Sequence, residues 1–419
     1  MHFLKTLAFI SLTLISSSHV YAEGAAKQTR DILESGKLVE GEKTIAEKLA
    51  KNPNDAELRF GLGLVRFVRA IERYAQSQYK YGLRPPKNAA VPFLRFPVPS
   101  NPNPEALTYE AQRDVLKTLL LDLEQVDLTL SPIGETPVKI KLDLNAIKFD
   151  LRNNGKADES GRLSSILSSL RMMDVPITEA VTEAVEPFEV SFDTSDVYWL
   201  RGYTHLTSAG LEFLLAYDWH VLFEQSGRLF YPRTTPSSFD TISQIPDTET
   251  SGSFLGSNLQ IADFIALIHD IRWPIAEPAR MKSAHTHFKQ VIHLGRLTWK
   301  SILAETDDDH EWIPSPTQKG GVLRGMPVGK EQADEWLASL EDFDAMLDGK
   351  LLVPYWRFNK GINLKKVFYE PRMFDAVLWF TGHAAAPFLE DGPVMESAVW
   401  EKRQRVFGGN FLSYAAWFN

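Results

Sequence analysis

Apolar side chains recur at every third or fourth position along most of this chain, the spacing of helices that bury one face. That period predicts helices over 27–82 and near 105–130, 159–173, 194–225, 257–272, 278–304 and 330–347. Pro278 suits a first helical position, and Gly349 suits a helix stop. One stretch departs from the rule. Val138, Ile140, Leu142 and Leu144 alternate with Lys139, Lys141 and Asp143, a period of two that predicts a small β element near 137–151. The fold class expected is mainly α, with this β insertion.

Breaks in the pattern divide the chain into a leader at 1–22, a helical hairpin at 23–83, a strap at 84–104 and a helical domain at 105–419. The strap contains seven prolines, which fix φ and remove backbone donors, so it is neither helix nor central strand. Its interleaved Val91, Phe93, Leu94, Phe96 and Val98 predict a segment pinned to the body. Residues 226–256 read as a long Ser/Thr/Pro-rich loop.

Within the hairpin, "ESGKLVEGEKTIAEKLAKNPNDAELRFGLGLVRF" resembles a tetratricopeptide-repeat junction over about 40 residues. Gly36 opens a second-helix-like stretch, Asn52-Pro53-Asn54-Asp55 makes the break, and Leu62-Gly63 marks the next helix. No second 34-residue copy follows, and about three repeats are needed for a free-standing solenoid. The resemblance therefore implies one helical pair docked on the remaining chain. Any αα-hairpin with a Pro-Asn turn would read the same way.

The leader "MHFLKTLAFISLTLISSSHVYAEG" has one cation, a short apolar run and compact residues up to Ala22. This is the pattern of a secretory signal cleaved after Ala22, and it predicts a periplasmic or secreted protein. The sequence has no cysteine, so disulfides and thiol metal sites are excluded. A net charge of −9 argues against nucleic acid as a partner. No later apolar run is long enough to span a membrane. Another envelope protein is the partner expected.

Four stretches could carry chemistry. "DLRNNGKADESG" places Asp150, Asn154 and Asp158 at the first, fifth and ninth places of a calcium loop, with Gly155 at the turn. Arg152 and Gly161 stand where oxygen ligands belong, so a turn with solvated acids is the alternative. On the apolar helix over 196–223, Arg201, His205 and Glu212 fall within about 40° of one another. They predict either a structural ion pair or a pocket wall with His205 and Glu212 as ligand or proton-transfer groups. His269-Asp270 in "IALIHDIRWP" resembles the dipeptide of the metal-dependent HD phosphohydrolases. That resemblance implies His205 or His220 upstream and one of Asp307 to Asp309 downstream as further ligands. His285, His287 and His293 point to about 0°, 200° and 80° on one helix and do not converge on one metal.

The fourth stretch, "ETDDDHEW" at 305–312, follows a helix C-terminus, where negative charge is unfavourable. Glu305, Asp307, Asp309 and His310 are its candidate metal ligands, since an extended segment would turn the odd-numbered acids one way. Oxygen donors favour Ca²⁺, Mg²⁺ or Mn²⁺. Arg324 or Lys319 neutralising the acids is the alternative. Taken together, the sequence predicts a periplasmic helical binding or scaffolding protein that holds a divalent cation. The competing expectation is a metal-dependent hydrolase built on His205, Glu212, His269 and Asp270.

Overall fold

The computed structural model describes residues 24–84, 98–170, 187–234, 265–319, 321–323 and 326–419. The leader, the strap over 85–97, most of the 226–256 loop and Arg324 lie outside the described residues. The fold is mainly α. A helix over 24–35 (α1) is followed by Leu38–Lys51 (α2) and Ala56–Lys80 (α3). The break between α2 and α3 falls on Asn52–Asp55, where the Asp55 carboxylate accepts from the Leu58 amide at 2.9 Å and caps α3.

Helix α3 packs on Tyr109–Leu130 (α4), and both precede the antiparallel pair Lys139–Asp143 (β1) and Glu189–Asp193 (β2). Ile140 and Leu142 face the core while Lys139 and Lys141 face out, as the alternating pattern predicts. Between the strands lie a loop over 150–160 and Leu163–Leu170 (α5). The loop is closed where Phe149 and Gly161 meet, the Phe149 amide donating to the Gly161 carbonyl at 2.9 Å. A Cβ on Gly161 would stand 2.1 Å from the Phe149 carbonyl oxygen. Gly161→Ala is therefore expected to lower stability by about 2 kcal/mol, measured as the shift of the urea midpoint.

The expected helix over 194–225 is two helices, Thr194–Ala216 (α6) and His220–Phe230 (α7). Tyr217 is extended, with ψ 153°, and the Asp218 amide donates to the Pro274 carbonyl at 2.9 Å. Arg113, from α4, donates to the Leu215 and Tyr217 carbonyls at 2.8 and 3.0 Å. It thus satisfies acceptors that the helix end leaves open. Helix 265–270 (α8) leads to Pro278–Ile302 (α9), which makes the most extensive helix–helix contact of the described chain, with α6. Lys330–Leu347 (α10), Leu364–Tyr369 (α11), Ala376–Thr381 (α12), Ser397–Val406 (α13) and Phe411–Phe418 (α14) complete the order.

One continuous apolar core runs from Leu33 in α1 to Phe418 in α14, so the N-terminal hairpin is docked on the body. The segment "GNFLSYAAWFN" is core: Phe411, Tyr414, Trp417 and Phe418 are buried, and Phe418 meets Trp299 and Trp336 edge to face. Among the described residues no helix is long and apolar enough to cross a membrane.

Candidate metal centre

The chain leaving α9 turns back along β2. The Ser191 amide donates to the His310 carbonyl at 3.2 Å, and Ser191 and Glu311 form a parallel bridge. This lays the acidic stretch against the point where β2 becomes α6. There Asp193 caps α6 by accepting from the Ser195 amide at 2.7 Å, while Asp196 accepts from the Asp193 amide at 2.8 Å. The result is a capping box that holds both carboxylates still.

Asp193, Glu305 and Glu311 each bring one carboxylate oxygen to a common point, all within 4.8 Å of one another. Glu311 is 3% exposed and Asp196 4%. The donors are few and neutral. Glu311 accepts from the Asp309 amide at 3.3 Å, and Glu305 Oε2 from the Gln318 side chain at 3.4 Å. Glu305 Oε1 is buried with no hydrogen-bond partner. Burial, and then the charge of Asp193, push Glu305 up to about 8 and Glu311 up to about 7. Burial and then Asp193 also raise Asp196 well above the usual carboxylate range.

Three carboxylates this close, without a cation in hydrogen-bond contact, either bind protons or answer a positive charge. An all-carboxylate donor set without regular geometry suits Ca²⁺, whose oxygen coordination is flexible, with Asp193, Glu305 and Glu311 around the ion and Asp196 behind them.

Of the expected set Glu305, Asp307, Asp309 and His310, the cluster contains Glu305. Lys139 of β1 takes Asp307 and Asp309 instead, with its Nζ 2.6 Å from Asp307. This ion pair holds Asp307 below its ordinary value. His310 has φ +64° and pairs its Nδ1 with the Glu189 carbonyl. Asp308 accepts from the Lys319 amide at 3.1 Å. The segment is not a uniform strand, so the alternation rule fails across it.

The calcium-loop candidate at 150–161 spends its own oxygens. Asp150 accepts from the Asn154 and Gly155 amides at 3.2 and 2.7 Å, and Asn154 from the Lys156 amide at 3.0 Å. Asp158 pairs with Arg152 and accepts from the Ser160 amide. Arg201 and Glu212 do not pair with each other: Arg201 meets Asp127 at 2.7 Å, and Glu212 meets Arg280 at 2.8 Å. His269 is exposed on α8, and Asp270 beside it faces the Gln225 amide. His220 stands 3.2 Å from Glu224. Among the described residues the phosphohydrolase-like set does not gather; the group at Asp193 is the one that does.

Asp193 and Glu311 are the members of the cluster that sequence reasoning misses. "FDTSD" carried a usable signal, because acids three apart immediately before an apolar helix mark a capping box. Glu311 lies in the same acidic stretch at an odd-numbered position, so the alternation that pointed to Glu305 was also the signal for it. The chain matches no family model, no curated protein and no solved structure. A cleft of about 860 Å³ lies elsewhere, between the α2–α3 hairpin and the 150–155 loop. Arg69, Arg73, Lys80 and Arg152 line it together with Glu72 and Asp150.

Proposed function

We propose that this chain is a periplasmic or secreted helical binding or scaffolding protein whose Asp193–Glu305–Glu311 centre holds a structural calcium ion. The carrying observation is the Glu305 Oε1 acceptor, buried without a donor beside two further carboxylates. An ion there would answer the excess negative charge and tie the start of α6 to the loop after α9. The wide polar cleft beside the N-terminal hairpin supports the binding part of the reading, with another envelope protein as partner. A metal-dependent hydrolase would require His205, Glu212, His269 and Asp270 around the same ion, and their partners lie elsewhere.

Calorimetry on chelator-stripped protein tests the calcium reading. One equivalent of Ca²⁺ is expected to bind and raise Tm by about 3 °C at a hundredfold excess over Kd, which corresponds to about 2.7 kcal/mol. Glu305→Gln should lose most of that heat, and Asp150→Asn should keep it. No binding, or binding lost with Asp150 and kept without Glu305, would overturn the assignment.

A further inference from the structure

Helices α6 and α9 face each other with a histidine on each side. His205 Nδ1 and His287 Nδ1 are 2.8 Å apart, with ring centroids at 5.0 Å. Behind them, His205 Nε2 is 3.5 Å from Asp127 Oδ1 on α4. That carboxylate is fixed in turn by Arg201 Nε at 2.7 Å. A cavity of about 190 Å³ opens on the pair, lined also by Glu124, Thr204 and Ser208.

A metal-binding imidazole typically gives its far N–H to a carboxylate, which leaves the lone pair of the near nitrogen for the ion. His205 has this arrangement, with Asp127 at the far nitrogen and Nδ1 at the near one. The two rings come from the most extensive helix contact in the described chain, so their separation is held by packing and not by a loop.

We propose that His205 and His287 bind a divalent transition metal of tetragonal preference, Cu²⁺ or Ni²⁺, through their facing Nδ1 atoms, with solvent from the cavity filling the remaining positions. The separation selects the geometry. Two ligands at right angles with bonds of about 2.0 Å stand about 2.8 Å apart, whereas tetrahedral ligands stand about 3.3 Å apart. Nitrogen donors disfavour Ca²⁺ and Mg²⁺. The site shares no residue with the carboxylate centre and does not rest on that assignment. A direct N–H···N hydrogen bond between the rings has the same length, so added metal is the discriminating probe.

The experiment strips the full chain with chelator, saturates it with Ca²⁺ and titrates CuCl₂ against glycine as a weak competitor. Electron paramagnetic resonance then reads the ligand set. One tight equivalent is expected, with a tetragonal spectrum split by two nitrogens. His287→Gln should weaken binding at least tenfold and remove one nitrogen from the splitting, while His293→Ala on the exposed face of α9 should change neither. His205→Gln should act as His287→Gln does, and far-UV circular dichroism checks that each variant folds. His287 is only partly buried, so that variant decides the matter if the His205 variant unfolds. Wild-type copper binding no tighter than that of His287→Gln, or loss of the equivalent in His293→Ala, would overturn the proposal.

Discussion

Raising the pH of the calcium-free chain from 6.5 to 8.5 lowers its stability by about 4 kcal/mol, a fall in Tm of about 5 °C for a chain of this length. Glu305 and Glu311 titrate near 8 and 7 when folded, and near 4.5 when unfolded. Between those values the folded chain holds more protons than the unfolded one, so stability drops as pH rises through the folded values. Glu57 and Glu72, each pushed up to about 7 by burial, add to the drop. Their share does not respond to Ca²⁺. Saturating calcium should remove the share of Glu305 and Glu311, because the ion displaces their protons. Melting curves at 0.5-unit pH steps, with and without Ca²⁺, give the test. Curves that stay parallel in the two conditions would mean that the ion does not bind these two groups.

Arg403→Ala is expected to cost about 3–5 kcal/mol, among the largest single-site losses in the chain. Arg403, on α13, is 1% exposed and meets Glu335 Oε1 at 3.3 Å and Asp342, both on α10. Its guanidinium also lies over the Phe343 ring, 5.9 Å from the centroid. Truncation would leave the buried Glu335 with the more exposed Lys402 as its remaining ion-pair partner. Replacing both buried groups, as Arg403→Met with Glu335→Met, should recover most of the loss, since the charges left behind, Asp342 and Lys402, reach solvent. Urea midpoints for the single and double variants check this. A single variant within about 1 kcal/mol of wild type would mean that water reaches the pair.

Much of the architecture was readable from periodicity alone. The strand around Ile140 and Leu142 and the helix starts at Asp55 and Pro278 are local signals, and the structure has them. The end of α6 was not readable, because it depends on Arg113, about a hundred residues away, taking the Leu215 and Tyr217 carbonyls. The carboxylate centre was half readable. "ETDDDHEW" pointed to Glu305, but assuming an extended segment grouped it with Asp307 and Asp309. Lys139, on a strand 168 residues earlier than Asp307, draws those two away, and pairing with β2 brings Glu311 in. Helix geometry alone separates His287 from His285 and His293. Its partner, His205, comes from another helix, and only tertiary packing brings the two together.

The carboxylate centre also has a topological consequence. Asp193 and Glu305 are separated by more than a hundred residues, which include α6 through α9. An ion coordinated by both would close a covalent-like ring around that whole span, in a chain with no cysteine to do so. Cross-linking a loop of that size removes about 4–5 kcal/mol of unfolded-state freedom in the chain-entropy account of disulfides. The clasp would also hold across a severed backbone. A protease cut between Asp193 and Glu305 would leave two fragments held by the shared apolar core, and calcium is expected to tighten their association.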